Sequence, residues 1–212
     1  MAGLRLPCDE QTIRNLKVGE FVELSGRLIT GRDAAHHWLL HGFREEVAPF
    51  LKDSVIYHVG PVVKKHEDGH YTFIAAGPTT SAREERFQAD VIGRYGLRGV
   101  IGKGGMGPKT LEALQEHGAV YLHAVGGTAQ VLAQAVVKVE QVFQLKEFGV
   151  PEALWVIQVK DFPVVATMDS HGHSLHAEVE KASKAKLRRL LGLSVQEAAW
   201  RIPGPALTAR NF

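Results

Sequence analysis

Residues 21–31, FVELSGRLITG, alternate roughly between apolar and polar positions and are rich in strand-forming types, which predicts a strand. The apolar residues of DAAHHWLLHGFREEVAP (33–49) recur at helical spacing instead, with Asp33 placed as the N-cap. SVIYHVGPVV (54–63) and HYTFIAAGP (70–78) read as strands around the polar turn KKHEDG, where Asp68-Gly69 is a hairpin signal. A helix is predicted over 80–96: Ser81-x-x-Glu84 matches a capping box and Gly96 supplies the stop. LRGVIG (97–102) is a strand. PKTLEALQEHG (108–118) is a helix, with Pro108 in its first turn and Gly118 just past its end.

AVYLHAVG (119–126) predicts a further strand, and TAQVLAQAVVKVEQV (128–142) a largely apolar helix or a helix passing into a strand. ALWVIQVKDFPVVATMD (153–169) reads as two strands, with Pro163 between them or at an edge. SHGHSLH (170–176) turns the chain into a charged amphipathic helix over 177–192, whose Lys181, Lys184, Lys186, Arg188 and Arg189 suit a solvated face. RIPGPALTARNF has no periodicity. With no internal repeat and no low-complexity linker, the economical organisation is one mixed α/β domain over 1–195 and a tail over 196–212.

Composition narrows the function. The 212 residues are 45% hydrophobic and 23% charged with a net charge of +2, too balanced for a nucleic-acid or membrane surface. The first residues, MAGLRLPCDEQ, lack a secretory pattern, and no run approaches the ~18 apolar residues of a membrane span, so a cytoplasmic location is expected. Cys8 is the single cysteine, which excludes an internal disulfide, a CxxC metal site and an iron–sulfur cluster held by this chain alone.

Three loops set cations beside glycines, and each follows a predicted strand: TGRDAAH (30–36), GPTTSAR (77–83) and IGKGGMGP (101–108). The third is close to a nucleotide-binding loop, but Pro108 stands where G-x-x-x-x-G-K-[ST] needs its lysine and removes a backbone N–H. Open α/β sheets bind ligands at their strand ends, so Arg32, Arg83 and Lys103 are candidates to converge on an anion. Two guanidinium forks and one ammonium suit a carboxylate-bearing substrate. Singly, each is as readily a solvated surface group. Thr80 or Ser81 suits the helix N-terminus, which leaves the Thr79 hydroxyl available to meet a reacting atom. His36, His37 and His41, and His171, His173 and His176, have workable metal spacings, but neither set has a carboxylate or cysteine placed to complete a site. No metal is expected.

GRDAAH, GPTTSAR, VIGKGGMGP, PEALWVIQVKDFP and MDSHG, in this order, resemble the β-subunit of class I fumarate hydratases. The β-subunit of L(+)-tartrate dehydratase carries nearly the same motifs. The resemblance covers about 15–176 and implies a swivelling β/β/α three-layer domain with mixed sheets. It implies reversible hydration of fumarate to (S)-malate, or tartrate dehydration as the alternative. It also implies a partner α-subunit, in an α2β2 tetramer, whose [4Fe–4S] cluster leaves one iron open as a Lewis acid. By the same resemblance, Arg32, Arg83 and Lys103 hold the substrate carboxylates and Thr79 is the base at C3. Asp33, Gly77, Thr80, Gly102 and Gly104 shape the supporting loops. A stand-alone organic-acid-binding module is the non-catalytic alternative, and a nucleotide switch is disfavoured by the broken phosphate loop.

Overall fold

The computed structural model describes residues 2–192, so the tail predicted over 196–212 lies outside the described residues. Contacts divide the chain into a unit of residues 1–176 and a unit of residues 177–212. In the first unit, β1 (Ala2–Leu6) runs parallel to β2 (Phe21–Thr30), with the short helix α1 (Glu10–Arg14) between them. The chain continues through α2 (Asp33–Leu40) and α3 (Ala48–Leu51) to the buried strand β3 (Val55–Tyr57). The hairpin β4 (Val62–Lys65) and β5 (Tyr71–Ala75) turns at Gly69, whose φ of +88° needs a residue without a side chain.

A 3₁₀ turn (Ser81–Glu84) then leads into α4 (Glu85–Tyr95), followed by β6 (Gly99–Gly102), α5 (Pro108–His117) and β7 (Val120–His123). Gly96 and Gly118 end their helices in the left-handed conformation, as their positions in the sequence predict. After α6 (Ala129–Gln134), β8 (Val136–Phe143) and α7 (Leu145–Phe148), the strand β9 (Leu154–Met168) crosses the unit. The charged helix α8 (Leu175–Leu190) has no buried residue.

The main sheet is mixed, in the order β1-β2-β3-β6-β7-β9-β8, and β9 also pairs antiparallel with β2. The ladder from β2 through β3, β6 and β7 to β9 therefore returns to β2. One core, with Ile29, Ile56, Val100 and Tyr121, lies between the sheet and α2 to α5. The other, with Leu28, Tyr57, Leu122 and Trp155, takes in Phe73 of the hairpin and Leu132 of α6. Helices, mixed sheet and hairpin make the three α/β layers expected.

Several local expectations change. The helix predicted over 33–49 stops at His41, because Gly42 at φ +120° turns the chain away. Asp33 is not its cap: Arg32 occupies that position, and Asp33 is the first helical residue. The strand predicted over 54–63 is split. The His58 carbonyl accepts the Thr79 N–H at 2.7 Å and Val59 bridges Pro78, so the chain leaves the ladder after Tyr57. The capping box does not form; Ser81 and Glu84 are buried instead, and the turn they occupy has Thr80 as its N-cap, without a side-chain bond. The two strands predicted over 153–169 are one, with Asp161 at φ +51° where the pairing with β2 shifts. Pro163 lies within that strand opposite Glu23, in its exposed part.

Candidate active site

Three loops at the ends of β2, β5 and β6 carry the cations singled out by the sequence. Two of them are stitched together through the backbone. Lys103 N–H donates to the Thr79 carbonyl at 3.2 Å, Ser81 N–H donates to the Lys103 carbonyl at 3.0 Å, and Thr80 bridges Lys103 in parallel. Glycine is needed where these loops approach their neighbours. A Cβ on Gly77 would lie 3.2 Å from that of Ala129, and one on Gly102 would collide with Ser81 Oγ. Gly104 turns the Lys103 loop at φ +83°. The far end of that loop is pinned by Glu85, which accepts from Gly107 N–H at 2.7 Å and from the Thr110 hydroxyl at 2.7 Å.

The third loop is joined through side chains. Arg83 Nη2 donates to Asp33 Oδ2 at 2.9 Å, and Arg32 Nη2 lies 3.9 Å from the same oxygen and 3.3 Å from Glu152 Oε1. Glu152 also accepts from Ala34 N–H at 3.1 Å, so one carboxylate holds both the Arg32 side chain and the start of α2. The Arg32 guanidinium packs against Gly60, where any side chain would displace it. Its Nε–H is buried and has no acceptor among the described residues. Lys103 makes no ion pair and the Thr79 hydroxyl no hydrogen bond among the described residues. Thr79 is half-buried, whereas Thr80 is exposed. Among the described residues, Arg32 Nε–H, the Lys103 ammonium and the Thr79 hydroxyl are left uncommitted.

A family model described as "Fumarase C-terminus" matches residues 3–179. The chain belongs to that family. It is 53% identical over 185 residues to "Putative fumarate hydratase class I" of Geobacillus stearothermophilus, covering 87% of this chain but 35% of that protein. It therefore spans about a third of that relative's length. It is 41% identical to "Putative L(+)-tartrate dehydratase subunit beta" of Methanocaldococcus jannaschii, covering 87% of this chain and 95% of the other. With "L(+)-tartrate dehydratase subunit beta" of Escherichia coli K12 the identity is 37%, over 84% and 88% of the two chains.

In this member of the fumarase C-terminus family, Glu84 is the least expected feature of the site. It is fully buried, neither carboxyl oxygen has a hydrogen-bond partner among the described residues, and Oε2 is 3.8 Å from His36 Nδ1. Burial and then the Asp33 carboxylate push its carboxyl up to about 7, with Arg83 acting the other way. His36, His58 and Gln88, also buried, form the floor beneath the loops. A signal for this layer was present in the sequence: Ser81, Glu84, Gln88 and Val91 share the inward helical face, so polar residues occupy core positions. Glu152 lies inside the PEALWVIQVKDFP motif but bears no mark of its role.

The histidine clusters have separate occupations. His37 and His41 stack with ring centres 3.8 Å apart, while His36 points inward to Gln88. His171, His173 and His176 bond to the Arg14 carbonyl, Asp169 and Thr167 respectively. Among the described residues no group of three or more His, Cys, Asp or Glu is assembled to hold a metal. The half-buried Cys8 thiol is pushed up to about 11 by burial and then by Asp9, which disfavours the thiolate a metal cluster requires. No helix among the described residues is long and apolar enough to cross a membrane.

Proposed function

We propose that this chain is the β-subunit, or the equivalent C-terminal portion, of a hydro-lyase that interconverts fumarate and (S)-malate. The observation that carries this reading is the buried Arg32 Nε–H left without an acceptor among the described residues, where Lys103 also makes no ion pair. An orphaned buried donor is costly, and a substrate carboxylate is the acceptor that would relieve it. Arg83 keeps further donors after bonding Asp33, since a guanidinium has several N–H groups. Two carboxylates of one small acid would thus find cations on separate loops.

On this reading Thr79 Oγ takes the C3 proton of malate. The electron pair left on carbon spreads into the adjoining carboxylate, whose charge Arg32, Arg83 and Lys103 stabilise as it grows. A threonine hydroxyl is a weak base, and the same cations favour the alkoxide that the step needs. The [4Fe–4S] cluster belongs to a partner α-subunit, where it would supply Lewis-acid assistance to the departing hydroxyl. This chain's residues do not fit a cluster. The proposed assembly is a cytoplasmic α2β2 tetramer.

A second reading is dehydration of L(+)-tartrate. It is supported by the likeness to two relatives named as tartrate dehydratase β-subunits, at 41% and 37% identity. Arg32→Met, Arg83→Met and Lys103→Met test the common site. Each is expected to fold normally and to lose about 10- to 150-fold in kcat/KM, the worth of a charge-assisted bond of about 1.5–3 kcal/mol. Steady-state kinetics with both acids decides between the substrates. Wild-type kinetics in all three variants would put the site elsewhere.

A further inference from the structure

Beneath the three loops runs a continuous series of buried hydrogen bonds that the proposed chemistry does not use. His36 Nδ1 lies 2.8 Å from the Arg32 carbonyl, and its Nε2 lies 2.9 Å from the position assigned to Gln88 Oε1, an atom whose exchange with the amide nitrogen leaves the side-chain shape unchanged. The same amide atom lies 2.8 Å from His58 Nε2. His58 Nδ1 meets Ser81 Oγ at 2.9 Å, and the Tyr121 hydroxyl donates to Ser81 Oγ at 2.9 Å. Tyr121 in turn takes a backbone bond from Gly105 of the Lys103 loop. His36, His58, Ser81 and Gln88 are fully buried.

The direction of these bonds follows from one atom. A carbonyl only accepts, so His36 carries a proton on Nδ1. Burial holds His36 below its ordinary range and His58 well below it, which leaves both rings neutral. A neutral His36 with its proton on Nδ1 has a bare Nε2, which must accept. The amide oxygen and nitrogen of Gln88 are therefore exchanged, which turns its –NH₂ toward the ring, and the second hydrogen of that group serves His58 Nε2. His58 then carries its own proton on Nδ1 and donates to Ser81. In this orientation the Gln88 amide nitrogen is satisfied twice, and the amide oxygen takes the place that has no partner among the described residues. Gly102 leaves the space in which Ser81 and Tyr121 meet.

We propose that Gln88 is a positioning residue: its –NH₂ clamps two uncharged histidines and so fixes the Arg32, Thr79 and Lys103 loops relative to one another. Each loop is reached through the backbone. Arg32 is held by its carbonyl, Thr79 by the carbonyl of His58, and the Lys103 loop by Gly105 and by Ser81 N–H. The charged and titratable groups facing the rings are Glu84 from the 3₁₀ turn, Asp33 from α2 and Tyr121 from β7. The functional consequence rests on the proposed hydro-lyase reaction, whereas the hydrogen-bond directions do not.

The test has two arms. Nitrogen-15 spectra of the histidines in the purified chain, assigned with His36→Asn and His58→Asn, are expected to show both rings neutral with the proton on Nδ1 from pH 6 to 8. A charged His36 at pH 7, or a proton on Nε2 of either neutral ring, would overturn the proposal without reference to activity. In the complete enzyme, Gln88→Glu replaces the two donors by a carboxylate that only accepts. Turnover is expected to fall about 10- to 100-fold at pH 8, as loops shift by a fraction of an ångström to 1 Å. It is expected to recover in part toward acid pH, where the new carboxyl regains one proton to donate to one of the two rings. A Gln88→Glu enzyme with the wild-type rate and pH profile would also overturn the proposal. Absence of turnover in the wild-type complex would instead remove the hydro-lyase reading and leave the spectroscopic arm to decide the clamp.

Discussion

Thr79→Val is expected to lower kcat about 10²- to 10⁴-fold while leaving substrate affinity and the melting temperature near those of the wild type. The proposed catalytic role of Thr79 is separable from a capping role. The turn after Thr79 has Thr80 as its N-cap, and no hydrogen bond among the described residues uses the Thr79 hydroxyl. Valine keeps the shape of threonine, so packing is conserved. Thr80→Val is the control; Thr80 is exposed and its side chain makes no capping bond, so little change in rate or melting is expected. Exchange of the malate C3 proton with solvent reports the same step, and the Thr79 variant is expected to lose exchange and dehydration together. Equal rates in Thr79→Val and wild type would reduce Thr79 to a structural residue.

Glu84→Gln is expected to stabilise the folded chain above neutrality and to have almost no effect near pH 4.5. The folded carboxyl titrates near 7, against an ordinary value of 4.5, because burial and Asp33 oppose its charge. Below about pH 4.5 both folded and unfolded states hold the proton, and nothing is lost. Between about 4.5 and 7 the unfolded state releases it while the folded state retains it, so stability falls as pH rises. Above 7 the full cost remains, roughly 3 kcal/mol from this shift. Glutamine has no charge to bury and removes that cost. For a chain of this size the difference corresponds to a melting temperature on the order of 5–10 °C higher at pH 8. Thermal melts of both proteins from pH 4.5 to 8 measure it, and parallel curves would contradict the assignment of Glu84 as a buried, uncharged acid at low pH.

The layers and most turns were legible because they depend on local chemistry. Gly69, Gly96 and Gly118 stand where the backbone needs positive φ, and each was readable as a turn or stop. The strand β1 and helix α1 were not assigned from sequence, because AGLRL is short and gains its stability from pairing with β2. Pro163 misled for a different reason. A missing N–H argues for a break, but in an exposed part of β9 the loss is tolerated and one strand continues. Ser81 and Glu84 satisfied a capping pattern while being committed to tertiary burial, for which the local signal is the helical face they share with Gln88 and Val91. The cations of the proposed site stood out in the sequence because they sit beside glycines at strand ends. Their supports did not: Glu152 and Gln88 act across 120 and 52 residues of sequence on Arg32 and His36, contacts that only folding creates.

The central claim is that these three loops form the dicarboxylate half of an enzyme whose cluster lies on another chain. The most direct measurement is turnover by the purified chain before and after addition of its host's cluster-bearing partner, reconstituted anaerobically, with malate, fumarate and L(+)-tartrate each assayed. The chain alone is expected to be colourless and inactive, and the mixture to dehydrate malate. Turnover by the chain alone would contradict the division of labour, and a loaded mixture inactive on all three acids would contradict the hydro-lyase assignment.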